Sequence, residues 1–186
     1  MTSIRPCRDN DRAAILAIVN TAAEAYRGVI PADRWHEPYM PRGELDREIA
    51  AGVVFWGYEE DGRLTGVMGL QSVHDVDLIR HAYVLPSSQR RGIGGALLER
   101  LRQLSTRRML VGTWEAADWA IRFCRRHGFE LVTSARKIAL VKTYGKCRID
   151  RSRFPWCWQV LQSTMHNIRR CQRIWRKLEM RRGAKS

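Results

Sequence analysis

The chain has 186 residues, 45% of them hydrophobic, and a formal net charge of +14. That length suits one domain with a sizeable core rather than two. No apolar run is long enough to span a bilayer, and Met1-Thr2-Ser3-Ile4-Arg5 has no apolar stretch behind its charge, so a soluble cytoplasmic protein is expected.

From the N-terminus, residues 2–5 read as a short strand. Asp9-Asn10-Asp11 supplies a helix start, and Ile15, Leu16, Ile18, Val19 and Ala22 follow at helical spacing, so a helix is predicted over 11–25, ended by Gly28. A proline-broken stretch carrying Trp35 and Tyr39 leads to a second short helix over 44–51. Strands are predicted over 53–58 and 64–70 around a turn at Glu59-Glu60-Asp61-Gly62, with a third over 77–85 ended by Pro86. A helix over 94–104, a strand over 109–112, a helix over 116–127 and a strand over 129–133 come next, and 135–144 is compatible with a helix. Helices, an antiparallel meander and then β-α-β-α-β describe an α/β fold with a mixed, mostly antiparallel sheet and helices on both faces.

Charge and cysteines divide the chain unevenly. Lys146 to Ser186 holds twelve Lys/Arg against two acids, a balance of +10, which leaves +4 for residues 1–145. The basicity therefore belongs to the tail. Cys7, Cys124, Cys147, Cys157 and Cys171 are odd in number, scattered and without a C-x-x-C pair, so neither a disulfide framework nor a metal site is expected.

The chemistry concentrates at Val84-Leu85-Pro86-Ser87-Ser88-Gln89-Arg90-Arg91-Gly92-Ile93-Gly94-Gly95, which leaves a strand, turns and opens a helix. Amides at a helix start have no internal partner, and glycine lets that backbone approach a ligand. With the helix dipole this makes an anion site, and Arg90 and Arg91 add positive charge beside it. A nucleotide P-loop needs Gly-Lys-Ser/Thr, which is absent, and a dinucleotide fingerprint needs a small residue where Leu97 stands.

The segment resembles the coenzyme A signature of the GNAT acetyltransferase superfamily, Gln/Arg-x-x-Gly-x-Gly/Ala, here Gln89-x-x-Gly92-x-Gly94 after Val84-x-Pro86. Ala120 to Phe129 resembles the family's later helix motif, and Tyr26 to Glu48 its acceptor-side helix pair. The resemblance covers residues 2 to about 144. It implies an acetyltransferase fold, acetyl-CoA as co-substrate and an amine acceptor. It also implies a coenzyme site made of Tyr83, Val84, Gln89, Arg90, Arg91, Gly92, Ile93, Gly94 and Gly95, in which backbone N–H near Val84 polarises the thioester and the amides from Gln89 to Gly95 hold the pyrophosphate. His81 on the third meander strand is the first candidate base, histidine being the side chain that changes charge in the neutral range, and Glu115 the second. Where the family usually has a tyrosine acid, this chain has Cys124, which is either a proton donor or a buried packing residue. Tyr26, Trp35, Tyr39 and Trp114 are candidate pocket walls.

Residues 146–186 admit two readings. Val160, Leu161, Met165, Ile168, Trp175 and Leu178 form the apolar side of a basic helix suited to RNA, a ribosome or an anionic membrane. Alternatively the tail is a frameshift product. Tryptophan has one codon, so Pro155-Trp156-Cys157-Trp158-Gln159 read one base earlier becomes Leu/Met/Val, Val, Leu, Ala, a strand sequence. On that reading the last strand of the sheet is missing and activity is doubtful. The rival functions are a non-catalytic coenzyme A–binding protein and a nucleic-acid binder acting through the tail.

Overall fold

The computed structural model describes residues 1–144 and 158–163. In chain order the elements are β1 (Thr2–Pro6), α1 (Arg12–Ala23), α2 (Arg42–Ala50), β2 (Val54–Glu60), β3 (Arg63–Val73), β4 (Val76–Val84), α3 (Ile93–Leu104), β5 (Arg108–Trp114), α4 (Asp118–Arg126), β6 (Phe129–Leu131), α5 (Ser134–Tyr144) and β7 (Trp158–Ser163). Local chemistry accounts for most of the boundaries. Asp61 and Gly62 both have positive φ (46° and 79°), the geometry of a two-residue turn whose twist matches its strands, so β2 and β3 run longer than predicted and the turn is tighter. Gly128, at φ 75°, releases the chain from α4 into β6.

The sheet has the order β1-β2-β3-β4-β5-β7-β6. Every neighbouring pair is antiparallel except β4 and β5, which run parallel. On one face, Met68, Ile79 and Met109 pack under Leu97, Leu98 and Leu101 of α3 and Cys124 of α4. On the other, Phe55 and Val67 pack under Ile15, Ile18 and Val19 of α1 and Leu45 of α2. Farther along the second face, Leu140 of α5 covers Val76 and Leu110.

One irregularity shapes the site. Between β3 and β4 the register shifts from Val67↔Tyr83 to Gly69↔Arg80, so β4 carries an extra residue, and His81 there has φ 49°. A bulge switches which alternate residues face which side. Before it, Val76 and Leu78 face α5; after it, Tyr83 and Leu85 face α1 and α2, while Val84 turns toward α3. Just past Ile79 the β4–β5 pairing ends, at Ile79↔Val111, and the last three residues of β5 pair with β7 alone. The two parallel strands thus part, opening a cleft of about 1660 Å³ that reaches from α2 to the start of α3.

The tail departs from expectation. Trp158–Ser163 is a strand seated between β5 and β6, so Val160 and Leu161 lie in the sheet rather than on a helix face, and the gap implied by the frameshift reading is filled. The sheet therefore crosses the boundary placed at 145. Met165, Ile168, Trp175, Leu178 and the basic cluster from Arg169 to Lys177 lie outside the described residues. Among the described residues no helix is long and apolar enough to cross a membrane.

Candidate acetyl-CoA and acceptor site

At the start of α3, Gly92 adopts the left-handed conformation (φ 81°, ψ −1°) and no side chain caps the helix. Ala96 N–H is the first to bond back, to Gly92 O at 2.9 Å. The amides of Gly92, Ile93, Gly94 and Gly95 have no protein partner among the described residues. They form a row of donors at the positive end of a twelve-residue helix, open to the cleft. The amide of Gln89, expected to join them, bonds Pro86 O instead, at 3.3 Å.

The flanking side chains divide their work. Gln89 Nε2 donates to Val84 O at 3.2 Å and so braces the turn. Arg91 forms a two-pronged ion pair with Glu60 of β2, at 3.1 and 2.7 Å, and is committed there rather than to a ligand. Arg90, exposed and held at φ 61°, has no protein partner among the described residues and is the cation available beside the amides.

The glycines serve packing as well as approach. A Cβ on Gly94 would lie 3.3 Å from the Phe123 ring, and one on Gly95 2.9 Å from the His127 ring. Two glycines on the inner side of α3 therefore let α4 come close enough to wall the cleft. Arg102 reinforces the joint: it donates to His127 O and lies over the Phe129 ring.

At the strand end, Leu85 N–H donates to Thr65 O at 2.9 Å. Successive strand residues direct their N–H to opposite edges, so Val84 N–H points to the β5 side, where β5 has already parted from β4. Val84 N–H is thus turned toward the open cleft rather than toward a neighbouring strand, and the bulge at His81 sets it.

His81 itself stacks on Phe55 (5.7 Å) on the α2 side of the cleft. Its Nε2 lies 3.2 Å from Glu48 Oε2, off the line of a good hydrogen bond. Glu48 also accepts from Arg80 Nη2 at 2.6 Å, and Arg80 Nη1 reaches Gln71 Oε1 at 2.9 Å. Burial works to raise the Glu48 carboxyl, but His81 and Arg80 outweigh it and hold Glu48 below the usual carboxylate range. Since the folded pKa is lower than the unfolded value of about 4.5, the stability Glu48 contributes is complete above that value and is lost as pH falls through the folded one. The melting-temperature gap between wild type and Glu48→Gln is thus expected to be present at about pH 5 and to close as pH falls below about 4. Thermal melts across that range check it; a gap that widens in acid would contradict it.

The remaining candidates separate. Cys124 lies in the core beneath α4, 7% exposed, and burial pushes its thiol up to about 11, both of which favour packing over proton donation. Glu115 sits in the exposed turn after β5 and does not line the cleft. Tyr26 and Tyr39 do line it, as a stacked pair with ring centroids 6.0 Å apart, and Trp119 of α4 leans on Tyr26 from the opposite wall at 5.4 Å. Trp35 packs behind Tyr39 at 5.5 Å, and Trp114 lines the β5 side. Burial pushes the Tyr26 phenol up to about 12. Burial likewise raises the Tyr83 phenol well above the ordinary value. Glu44, Glu48, Arg80 and Thr113 were not anticipated; each meets the cleft only through long-range packing.

A row of free amides at a helix start, beside a splayed pair of parallel strands, is an arrangement suited to an anionic group such as a diphosphate. Residues 51–131 match the family model described as acetyltransferase (GNAT) domain. Peptidyl-lysine N-acetyltransferase YiaC of Escherichia coli is 34% identical over 80 residues, which are 43% of this chain and 52% of that protein, so the match spans about half the length of this curated relative. Among solved structures, the PaiA N-acetyltransferase of Thermoplasma acidophilum in complex with coenzyme A superposes with a TM-score of 0.66 at 16% identity, covering 88% of this chain and 99% of that one. The yncA acetyltransferase of Salmonella typhimurium with its cofactor acetyl-CoA gives 0.54 at 25% identity, over 71% of this chain and 81% of that one. Residues 51–131 are thus similar to the GNAT acetyltransferase domain, and the chain shares the fold of these solved structures.

Proposed function

We propose that this protein transfers an acetyl group from acetyl-CoA to a primary amine, acting in the cytoplasm. The observation that carries the reading is the row of unpartnered amides from Gly92 to Gly95 opening on the cleft between β4 and β5. Those amides and Arg90 would hold the coenzyme pyrophosphate, as the Thermoplasma acidophilum and Salmonella typhimurium complexes make reasonable. The pantetheine arm would then lie along the open edge of β4, with Val84 N–H donating to the thioester oxygen as negative charge develops there.

His81 would accept a proton from the attacking amine, and the nearby Glu48 carboxylate supports this role by steadying its ring. The nitrogen forms its bond to the acetyl carbon, the C–S bond breaks, and the thiolate takes a proton from water in the open cleft. Positioning supplies much of the acceleration. The name of the YiaC relative supports a lysine side chain on a protein as acceptor.

The test combines calorimetry with acetyl-CoA and turnover of acetyl-CoA against a panel of amines that includes a lysine peptide. Micromolar-range binding with thiol release is expected. Binding without release to any amine would favour a non-catalytic coenzyme A–binding protein, a reading that the buried Cys124 at the family's usual acid position keeps open. Salt-dependent RNA binding by the full chain, lost on removal of residues 164–186, would favour the nucleic-acid reading of the tail.

A further inference from the structure

Glu44 and Glu48 stand four residues apart on α2, on one face of the helix, and both line the cleft. Their surroundings differ. Glu48 is held by Arg80 and His81. Glu44 is half-buried, and its carboxylate has neither a salt bridge nor a hydrogen bond among the described residues. It lines the cleft together with Tyr83, whose phenol its charge helps to raise, and Tyr83 belongs to a ring cluster with Tyr26 and Tyr39. Of the basic side chains on this wall, Arg80 is engaged with Glu48 and Gln71, Arg34 lies beside Asp33, and Arg47 folds back toward Gly43 on the neighbouring face of α2. A carboxylate without an ion pair that shares a cleft with tyrosine rings attracts a cation from two directions, by charge and by the ring quadrupoles.

That cation is not the reacting nitrogen, which must be neutral where it meets the thioester, beside His81 and the Val84 amide. Residues four apart on a helix have Cβ atoms about 6 Å apart, so a charge at Glu44 sits roughly one helical turn from the Glu48–His81 pair. We infer that Glu44, with the rings of Tyr26, Tyr39 and Tyr83, forms a subsite for a second positive charge on the acceptor, a few bonds from the amine that is acetylated. The acceptor is then a doubly cationic amine, whether a small diamine or a lysine with a basic neighbour in a peptide. This rests on the transferase reading above for the identity of the first nitrogen, but the subsite can be measured without turnover.

The experiment titrates coenzyme A–saturated protein, wild type, Glu44→Gln and Glu44→Asp, with two matched pairs. One pair is tetramethylenediamine against butylamine. The other is a lysine peptide with arginine beside the lysine against the same peptide with glycine there. In at least one pair the doubly charged member is expected to bind about tenfold tighter to wild type, the preference vanishing in Glu44→Gln and persisting in part in Glu44→Asp. The affinity for coenzyme A stays unchanged in both variants, which shows that they are folded. The pair that discriminates identifies the source of the second charge. Equal binding within both pairs, or a preference that survives Glu44→Gln, overturns the subsite. Acetyl transfer is followed alongside with the same four acceptors. A charge preference without any transfer would overturn the transferase reading and leave the subsite standing; transfer without a preference would do the reverse.

Discussion

Gly94→Asp is expected to weaken acetyl-CoA binding by at least about a hundredfold, because it places a carboxylate among the donors proposed to hold a diphosphate and forces bulk between two helices. The two contributions are separable. A Cβ at this position presses closest on the Phe123 ring, at 3.3 Å, so Gly94→Ala keeps that steric burden and none of the charge. Alanine should cost only severalfold in affinity, with a small drop in melting temperature, and Phe123→Leu should restore the alanine variant by giving its methyl room. Isothermal calorimetry on the three variants, with melts as the folding control, measures this. Full binding by a folded Gly94→Asp protein would remove the amide row from the site.

His81→Ala is expected to lower kcat by about a hundredfold or more while leaving the coenzyme dissociation constant unchanged. The imidazole sits on the α2 side of the cleft, stacked on Phe55 and 3.2 Å from Glu48, whereas the coenzyme amides lie at the start of α3. Loss of the ring therefore removes a proton acceptor without disturbing the diphosphate site. Glu48→Gln keeps the shape but not the charge, and should reduce kcat less than His81→Ala does, since it alters how the ring is held rather than the ring itself. Steady-state rates with a saturating amine separate the two variants. An unchanged kcat in His81→Ala would pass the proton-accepting role to solvent.

How much of this was legible beforehand depended on the range of the interaction. The glycine turn was readable because its chemistry is local: a helix start leaves its own amides free whatever packs around it, and the structure has them free from Gly92 to Gly95. Arg91 looked equivalent to Arg90, and nothing nearby in the sequence reveals that Glu60, 31 residues away, captures it. The side to which His81 turns was undecidable from alternation alone, because the bulge shifts the alternation at that very residue. Glu44 and Glu48 stand on a short helix with no local motif around them, and they line the cleft only because α2 packs beside β4. In the tail, cysteine, tryptophan and arginine masked a six-residue strand whose place between β5 and β6 is a matter of long-range pairing.

That placement bears on how the molecule is made. During synthesis β5 and β6 emerge well before β7, yet in the sheet they are separated by it and do not pair with each other. Until residue 163 has left the ribosome, the far half of β5 has a bare hydrogen-bonding edge and β6 has no strand beside it. The nascent chain must carry that unfinished margin, a template for pairing with other chains, until β7 threads into the waiting slot.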